Sequence, residues 1–390
     1  MNEYEQRQEA IRRYLLGEKV SKIAQSFKKS RKWLHSWLKR FNEKKASNWF
    51  EDLSKTPLKT NTTLNEELEQ QILLIRKDLM NEKMAQIGAI SIQYEFEKRG
   101  IKPLPNVWTI NRVIHKHGIS KQTSNHKKIK DYPELFWHIH QMDLVGPRYI
   151  KGDGKFFSIN IIDITTHSCF VKAVRTKSSN GIVEALARFW KTHGLPDALQ
   201  MDNELAFRGS NRYPRSFGAV VRFALSQGIA VIFIPVAEPW RNGIIEKFND
   251  TYQLRFLRAY SFETLEKLSE KEQSFIDFHN NNHRYSSQSH KTPNEAKALQ
   301  MPAILYKGLE HLPSLKNEIL IPLTKGCIYY IRFIRSDLKL YLPNEIFTVK
   351  ENLKYSYVVA EINIENHSLI IRQNDEIVQV FPYDLPAINW

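Results

Sequence analysis

"FWHIHQMDLVGPRYIKGDGKFFSINIIDITTHSCFVKAV" (Phe136–Val174) decides how the middle of this chain folds. Its apolar, β-branched runs are broken by "KGDGK" (Lys151–Lys155) and "TTHS" (Thr165–Ser168), turn chemistry that joins antiparallel strands. The expected strands are "FWHIHQMDLVG", ending near Asp143, then "KFFSINIIDI" and "SCFVKAVRT". Downstream the period lengthens. Ser179–His193 lines up Ile182, Val183, Leu186, Phe189 and Trp190 on one side and stops at Gly194, the signature of a helix. "DALQMD" reads as a short strand ending at Asp202, "SFGAVVRFALSQG" as a helix stopped by Gly228, and "AVIFI" as a fifth strand. "EPWRNGIIEKFNDTY" (Glu238–Tyr252) then opens an amphipathic helix with Glu246 in its first turn.

Three strands, helix, strand, helix, strand, helix is the element order of an RNase H-like fold, a mixed sheet with helices on both faces. Open α/β sheets gather their sites at strand ends near topological switch points. Asp143 and Asp202 end strands that are neighbours in this fold, and the helix carrying Glu246 packs beside them. Phosphodiester chemistry requires charge stabilisation on the attacking and leaving oxygens, which two Mg²⁺ ions roughly 3.5–4 Å apart provide. Such ions take few protein ligands, mostly carboxylates. Asp143, Asp202 and Glu246 are therefore the expected catalytic and metal-binding residues, with Mn²⁺ able to replace Mg²⁺. A helix N-terminus would keep Glu246 ionised. Glu204 competes with Asp202, and Glu238 competes with Glu246. Asp163 sits at a similar strand end that points away from the site. His138 and His140 alternate on one face of the first strand and read as buried, satisfied side chains, since hard Mg²⁺ prefers oxygen.

Outward from this core, charge divides the chain. Of the net +15, residues 1–130 hold 27 Lys and Arg against 14 acids, whereas residues 131–390 hold 30 against 28. A basic front on a near-neutral body fits a polyanion-binding arm. In "GEKVSKIAQSFKKSRKWLHSWLKRF" (Gly17–Phe41), a short helix with Ile23, Ala24 and Phe27 precedes Ser30, well placed as an N-cap. A second helix buries Leu34, Trp37, Leu38 and Phe41 and shows Arg31, Lys32, His35, Lys39 and Arg40 outside. The expectation is a helix-turn-helix DNA-binding domain over 1–50; an ordinary helical hairpin with a charged outside is the plainer alternative. A second helical DNA-binding unit is expected over 62–120, with Asn106 capping its last helix before a stop at Gly118. "EDLSKTPLKTNTT" and "SKQTSNHKKIKDYP" read as linkers. After the core, expected over 134–300, short strands in 318–386 suggest a small β-barrel that contacts DNA or a partner subunit, or serves as a passive cap.

Two cysteines, Cys169 and Cys327, exclude a disulfide framework and a Cys-rich zinc module. No apolar run is long enough to cross a bilayer, and an intracellular protein without membrane partners is expected.

"HQMDLVGP" (His140–Pro147), "QMDNELAFRGSNRYPRSFG" (Gln200–Gly218), "EPWRNGIIEKFND" (Glu238–Asp250) and "FHNNNHRYSSQSHKTPNEA" (Phe278–Ala296) together resemble a DDE transposase of the bacterial insertion-sequence type, with a retroviral-integrase-like core. The resemblance implies the triad Asp143, Asp202 and Glu246, nicking at transposon ends, and attack of the freed 3′-OH on target DNA. It also implies action on DNA in the bacterial cytoplasm at the nucleoid, by a homodimer or larger assembly. Two departures stand out. Glu204 follows the Asp-Asn pair where many relatives have Gly. Asp202 and Glu246 are separated by 43 intervening residues, longer than the 35 of the retroviral-type spacing, with the excess in "RGSNRYPRS" (Arg208–Ser216). Arg208, Arg212 and Arg215 in that loop, and Arg241 and Lys247 beside Glu246, are the further expected DNA contacts; Trp240 is placed to stack on a base or to pack over the site. The alternative is a DNA-binding protein whose integrase-like core is inactive.

Overall fold

Strict alternation makes the sheet two-faced, and that decides where every site residue points. In β1 (Ile139–Ile150), Met142 and Leu144 join the apolar core formed with α7 (Ser179–His193) and α9 (Ala219–Ser226). Gln141 and Asp143 consequently project from the opposite face. There, Ile162, Cys169, Val171 and Ala173 of β2 (Gly154–Asp163) and β3 (Cys169–Val174) pack against α10 (Gly243–Tyr252) and α11 (Leu265–Asn282). β1 runs antiparallel to β2, and β2 to β3. β4 (Ala198–Met201) and β5 (Ala230–Phe233) extend the sheet in parallel from the other edge of β1. This is the expected mixed sheet with helices on both faces.

The computed structural model describes residues 2–43, 48–52, 66–118, 132–209, 214–308 and 322–386. They form two compact units, Met1–Asn65 and Glu66–Trp390. The first holds α1 (Glu3–Leu15), α2 (Val20–Ser26) and α3 (Arg31–Glu43) around Ala10, Ile11, Ile23, Leu34, Trp37 and Leu38. The Ser30 hydroxyl accepts the Trp33 N–H at 3.1 Å, capping α3. The second unit opens with α4 (Glu66–Asn81), α5 (Ala89–Lys98) and α6 (Val107–Lys116). Asn106 caps α6 through the Thr109 N–H at 2.7 Å. These helices dock on the sheet domain: the His283 ring donates from Nε2 to the Met84 carbonyl at 2.8 Å, and the Arg284 guanidinium lies 3.6 Å from the Tyr94 ring. Both linker stretches lie largely outside the described residues.

Two expectations require correction. β1 does not end near Asp143 but continues to Ile150, with a bulge between Val145 and Arg148. The pairing with β2 carries it on, and Gly146 makes the irregularity sterically accessible at φ +133°. The C-terminal strands, moreover, do not close a self-contained barrel. β6 (Cys327–Phe333) pairs in parallel with β5, and β9 (Tyr357–Asn363), β10 (Ser368–Gln373) and β11 (Glu376–Pro382) follow. The result is one nine-stranded sheet of order β11-β10-β9-β6-β5-β4-β1-β2-β3, with β7 (Lys339–Leu342) and β8 (Glu345–Thr348) as a separate hairpin. The outer edge of β5 offers a row of unpaired N–H and C=O groups, and β6 satisfies it. Among the described residues no helix is long and apolar enough to cross a membrane.

Candidate active site

The tripeptide Gln-Met-Asp occurs twice, at Gln141–Asp143 and Gln200–Asp202, and the fold sets the copies side by side. In the parallel β1–β4 ladder Gln141 is the partner of Gln200. Asp143 lies two residues further on within β1, and Asp202 two residues further on, just past the end of β4. Met142 and Met201 point the other way and are fully buried. The two glutamines anchor the start of α10: Gln141 Oε1 accepts the Ile245 N–H at 3.0 Å. Gln200 Nε2 donates to the Arg241 carbonyl at 3.1 Å and to Asn242 Oδ1 at 2.9 Å. The repeat therefore aligns two carboxylates and pins the helix of Glu246 to the same pair of strands. It was visible in the sequence, but its meaning depends on the parallel register.

Asp143 Oδ1 accepts the Leu144 N–H at 2.8 Å, and Oδ2 accepts Asn249 Nδ2 at 2.7 Å. Asn249 Oδ1 accepts Asn160 Nδ2 at 2.7 Å, and Asn160 is the β2 residue opposite Asp143. The buried chain continues from Ser158 Oγ to Asn160 Oδ1 at 2.6 Å and from Tyr252 to Glu272 Oε1 at 3.0 Å; Ser158 and Tyr252 hydroxyls are 3.3 Å apart. The Ala173 N–H fills Glu272 Oε2 at 3.0 Å. No sequence motif marks Asn160, Asn249 or Glu272; Asn249 lies one turn after Glu246 on α10.

Burial first, then the Asp202 and Glu204 charges, push the Asp143 carboxyl up to about 6, against the bonds from Leu144 and Asn249. Asp202 is raised by burial and by Glu204, while Lys177 opposes. Its Oδ1 accepts the Glu204 N–H at 2.9 Å. Glu204 itself pairs with Lys177. Glu238 accepts from the Tyr357 hydroxyl at 2.8 Å and from Arg241 Nε at 3.0 Å. Glu238 is thus engaged elsewhere, whereas Glu204 stays beside Asp202, where its charge raises both aspartates. Glu246 is half-buried and raised by burial and by Asp250. It sits one turn before Asn249 on α10.

The structure brings Asp143 and Asp202 together; Glu246 does not join them in a closed trio. The only close trio of potential ligands among the described residues is His138, His140 and Asp163, whose ligand atoms lie within 4.8 Å of one another. Its chemistry opposes a metal. His140 Nδ1 accepts the Trp190 Nε1–H at 3.2 Å, so the ring proton sits on Nε2. Asp163 already accepts from Thr165 N–H and Oγ1 at 2.8 Å and from Thr166 Oγ1 at 2.6 Å. The expectation of two buried, satisfied histidines needs correction. His138 is half-buried, and its Nε2 stands 3.6 Å from Asp163 Oδ2, an electrostatic contact and not a hydrogen bond. Neither it nor His140 Nε2 has a hydrogen-bond partner among the described residues.

Arg31, Lys32, His35 and Lys39 are exposed on α3. Arg40 stacks on Trp37 at 4.4 Å and donates to the Glu51 carbonyl. Lys247 is exposed. Arg241 bonds Glu238 and the Tyr357 hydroxyl and lies 3.8 Å from the Tyr132 ring. Arg215 bonds Glu345 at 2.8 Å and covers Tyr383 at 4.3 Å. Arg208 ends α8 (Leu205–Arg208) and donates from Nε to the Asn203 carbonyl at 2.9 Å. Arg212 lies outside the described residues. Trp240 is 56% exposed, so it does not seal the site by packing.

Residues 227–293, which include Glu246 but neither aspartate, match the family model described as Integrase core domain. Residues 1–48 match the model described as Homeodomain-like domain. No curated protein matches the chain. Among solved structures, the chain is similar to the HTLV-2 integrase catalytic core domain in complex with magnesium. The trimeric form is 17% identical with a TM-score of 0.31, over 41% of this chain and 95% of that one. The dimeric form is 18% identical with a TM-score of 0.30, over 42% and 97%. The simian T-cell lymphotropic virus intasome in complex with PP2A regulatory subunit B56 gamma is 14% identical with a TM-score of 0.36, over 75% and 93%.

Proposed function

We propose that this chain, which carries an integrase core domain behind a homeodomain-like N-terminus, is a DDE-type transposase. It cleaves at transposon ends and joins the freed 3′-OH to target DNA. The observation that supports the reading is the paired Gln-Met-Asp: Gln141 and Gln200 are partners on parallel strands and hold the start of α10, and each is followed two residues on by an aspartate. Two half-buried carboxylates, with the Asp202 charge raising Asp143, form a hard-oxygen donor set suited to Mg²⁺ or Mn²⁺. Asp143, Asp202 and Glu246 would hold two such ions, whose chemistry is to stabilise charge on the attacking and leaving oxygens.

The chain's own residues do the positioning. Asn249 and the Leu144 N–H fix the Asp143 carboxylate, and the Glu204 N–H fixes Asp202. Glu246 approaches from the first turn of α10. The exposed α3 face, with Arg31, Lys32, His35 and Lys39, takes a transposon end, and Lys247 contacts backbone phosphate near the reacting bond. Arg40, Arg208, Arg215 and Arg241, whose guanidinium groups make contacts within the chain, brace the fold instead. Juxtaposing two ends requires at least two copies of the chain on DNA.

A second reading, a DNA-binding protein with an inactive core, draws on one observation: Asn249 occupies Asp143 Oδ2. A joining assay with labelled end oligonucleotides and plasmid target separates the two. Wild-type protein should join ends in Mg²⁺, and Asp202→Asn or Glu246→Gln should abolish joining with DNA binding retained. Binding without joining by the wild type would establish the second reading.

A further inference from the structure

The chain buries an arginine beside the Asp202 turn, and it comes from the C-terminal strands. β6 follows β5 in register, Phe233 opposite Tyr330. Two residues later Arg332, only 7% exposed, turns its guanidinium back over the end of β5. Nη2 donates to Asn203 Oδ1 at 2.7 Å, Nη1 to the Ile234 and Ile331 carbonyls at 2.9 Å, and Nε to the Tyr341 carbonyl at 3.1 Å. Asn203 Nδ2 closes the arrangement on the Ile234 carbonyl at 2.7 Å. Asn203 directly follows Asp202.

A buried cation held by neutral oxygens and the face of the Tyr330 ring, with no carboxylate partner among the described residues, is a costly way to fill space. An apolar side chain of equal length would serve packing better, but could not join three separate pieces of backbone to Asn203. Arg332 reaches the turn through its directed hydrogen bond to Asn203.

We infer that Arg332 is a positioning residue for Asp202: through Asn203 it fixes the Asp202–Glu204 turn, which makes the C-terminal strands part of the catalytic apparatus. The inference rests on the proposed role of Asp202. Lysine keeps the charge but cannot span Asn203, Ile234 and Tyr341 together, so Arg332→Lys should not rescue function.

The test uses the full chain with Arg332→Met, Arg332→Lys and Asn203→Ala, which approach the contact from both sides. Two quantities are read: the Mg²⁺ concentration for half-maximal end joining, and hydrogen exchange of the amides over 204–207 without metal. Residues that orient metal ligands typically contribute roughly 10- to 100-fold to metal affinity or activity. Each variant should therefore raise the Mg²⁺ requirement about tenfold or more, speed exchange in the turn, and leave end-DNA binding unchanged. The double variant Arg332→Met/Asn203→Ala should be no worse than either single one. Wild-type Mg²⁺ dependence and wild-type exchange in Arg332→Met, or in Asn203→Ala should Arg332→Met not fold, would overturn the inference. Full rescue by Arg332→Lys would also overturn it. An Asp202→Asn protein that joins ends like wild type would overturn the underlying role of Asp202 and the inference with it. That outcome is distinguished because it concerns Asp202 alone, whatever the exchange data show.

Discussion

Replacing Asp143 with Asn should stabilise the metal-free protein at pH 8 while removing its activity. The Asp143 carboxyl stands at about 6 in the fold, against an ordinary value of 3.8. A raised acid binds its proton more tightly in the folded than in the unfolded chain. The stability this contributes is present below about pH 4 and is lost as pH rises through about 6. Above that, the ionised group costs the fold at most about 3 kcal/mol, less whatever its remaining contact with water screens. Asparagine carries no charge and removes that cost. It offers one oxygen, though, for the two donors that now meet Asp143, Leu144 N–H and Asn249 Nδ2, and one lost bond returns about 1–2 kcal/mol. The net expectation is about 1–2 kcal/mol of stabilisation at pH 8 and a loss of similar size near pH 4. Urea unfolding of both proteins in chelator at the two pH values measures it. Magnesium should then raise the midpoint of the wild type and not of the variant. A variant equally destabilised at both pH values would refute the reasoning, because the burial and repulsion assigned to Asp143 would then have no energetic effect.

Glu272→Gln should flatten the same profile at another place: burial raises this carboxyl to about 7, so its contribution is present below pH 4.5 and lost as pH rises through 7. The difference between wild type and variant should change by about 3 kcal/mol between pH 4 and pH 9 in chemical unfolding. Gly146→Ala should cost about 1–3 kcal/mol in the same assay, since φ is +133° and a Cβ would meet the Phe156 carbonyl at 3.1 Å. Alanine at Arg31, Lys32 and Lys39 together should weaken end binding and lower the slope of log affinity against log salt by about 0.9 for each phosphate left without its cation; an unchanged slope in a filter-binding titration would count against the α3 face.

The order of strands and helices in the core and the helical N-terminal unit were legible because each rests on local signals: alternation, caps and turn residues. Ser30, Asn106 and Gly194 end or begin helices where their chemistry says they should. What escaped was non-local. "GP" at Gly146–Pro147 reads as a strand terminator, yet β2 holds the strand together across it. Nothing within the C-terminal 73 residues, 318–390, announces that β6 will seek the open edge of β5, over 90 positions earlier. Arg215 and Arg241 look like surface cations until Glu345 and Tyr357, 130 and 116 residues away, come to meet them. A separation of 89 residues likewise hid the bond between Asn160 and Asn249.

The central claim is that Asp143, Asp202 and Glu246 form one metal centre. Anomalous diffraction from crystals of the full chain grown with Mn²⁺ tests it most directly. Manganese is expected between Asp143 and Asp202, with the Glu246 carboxylate turned toward it. Manganese bound only at His138, His140 and Asp163, or absent from Asp143 and Asp202 at saturating concentration, would contradict it.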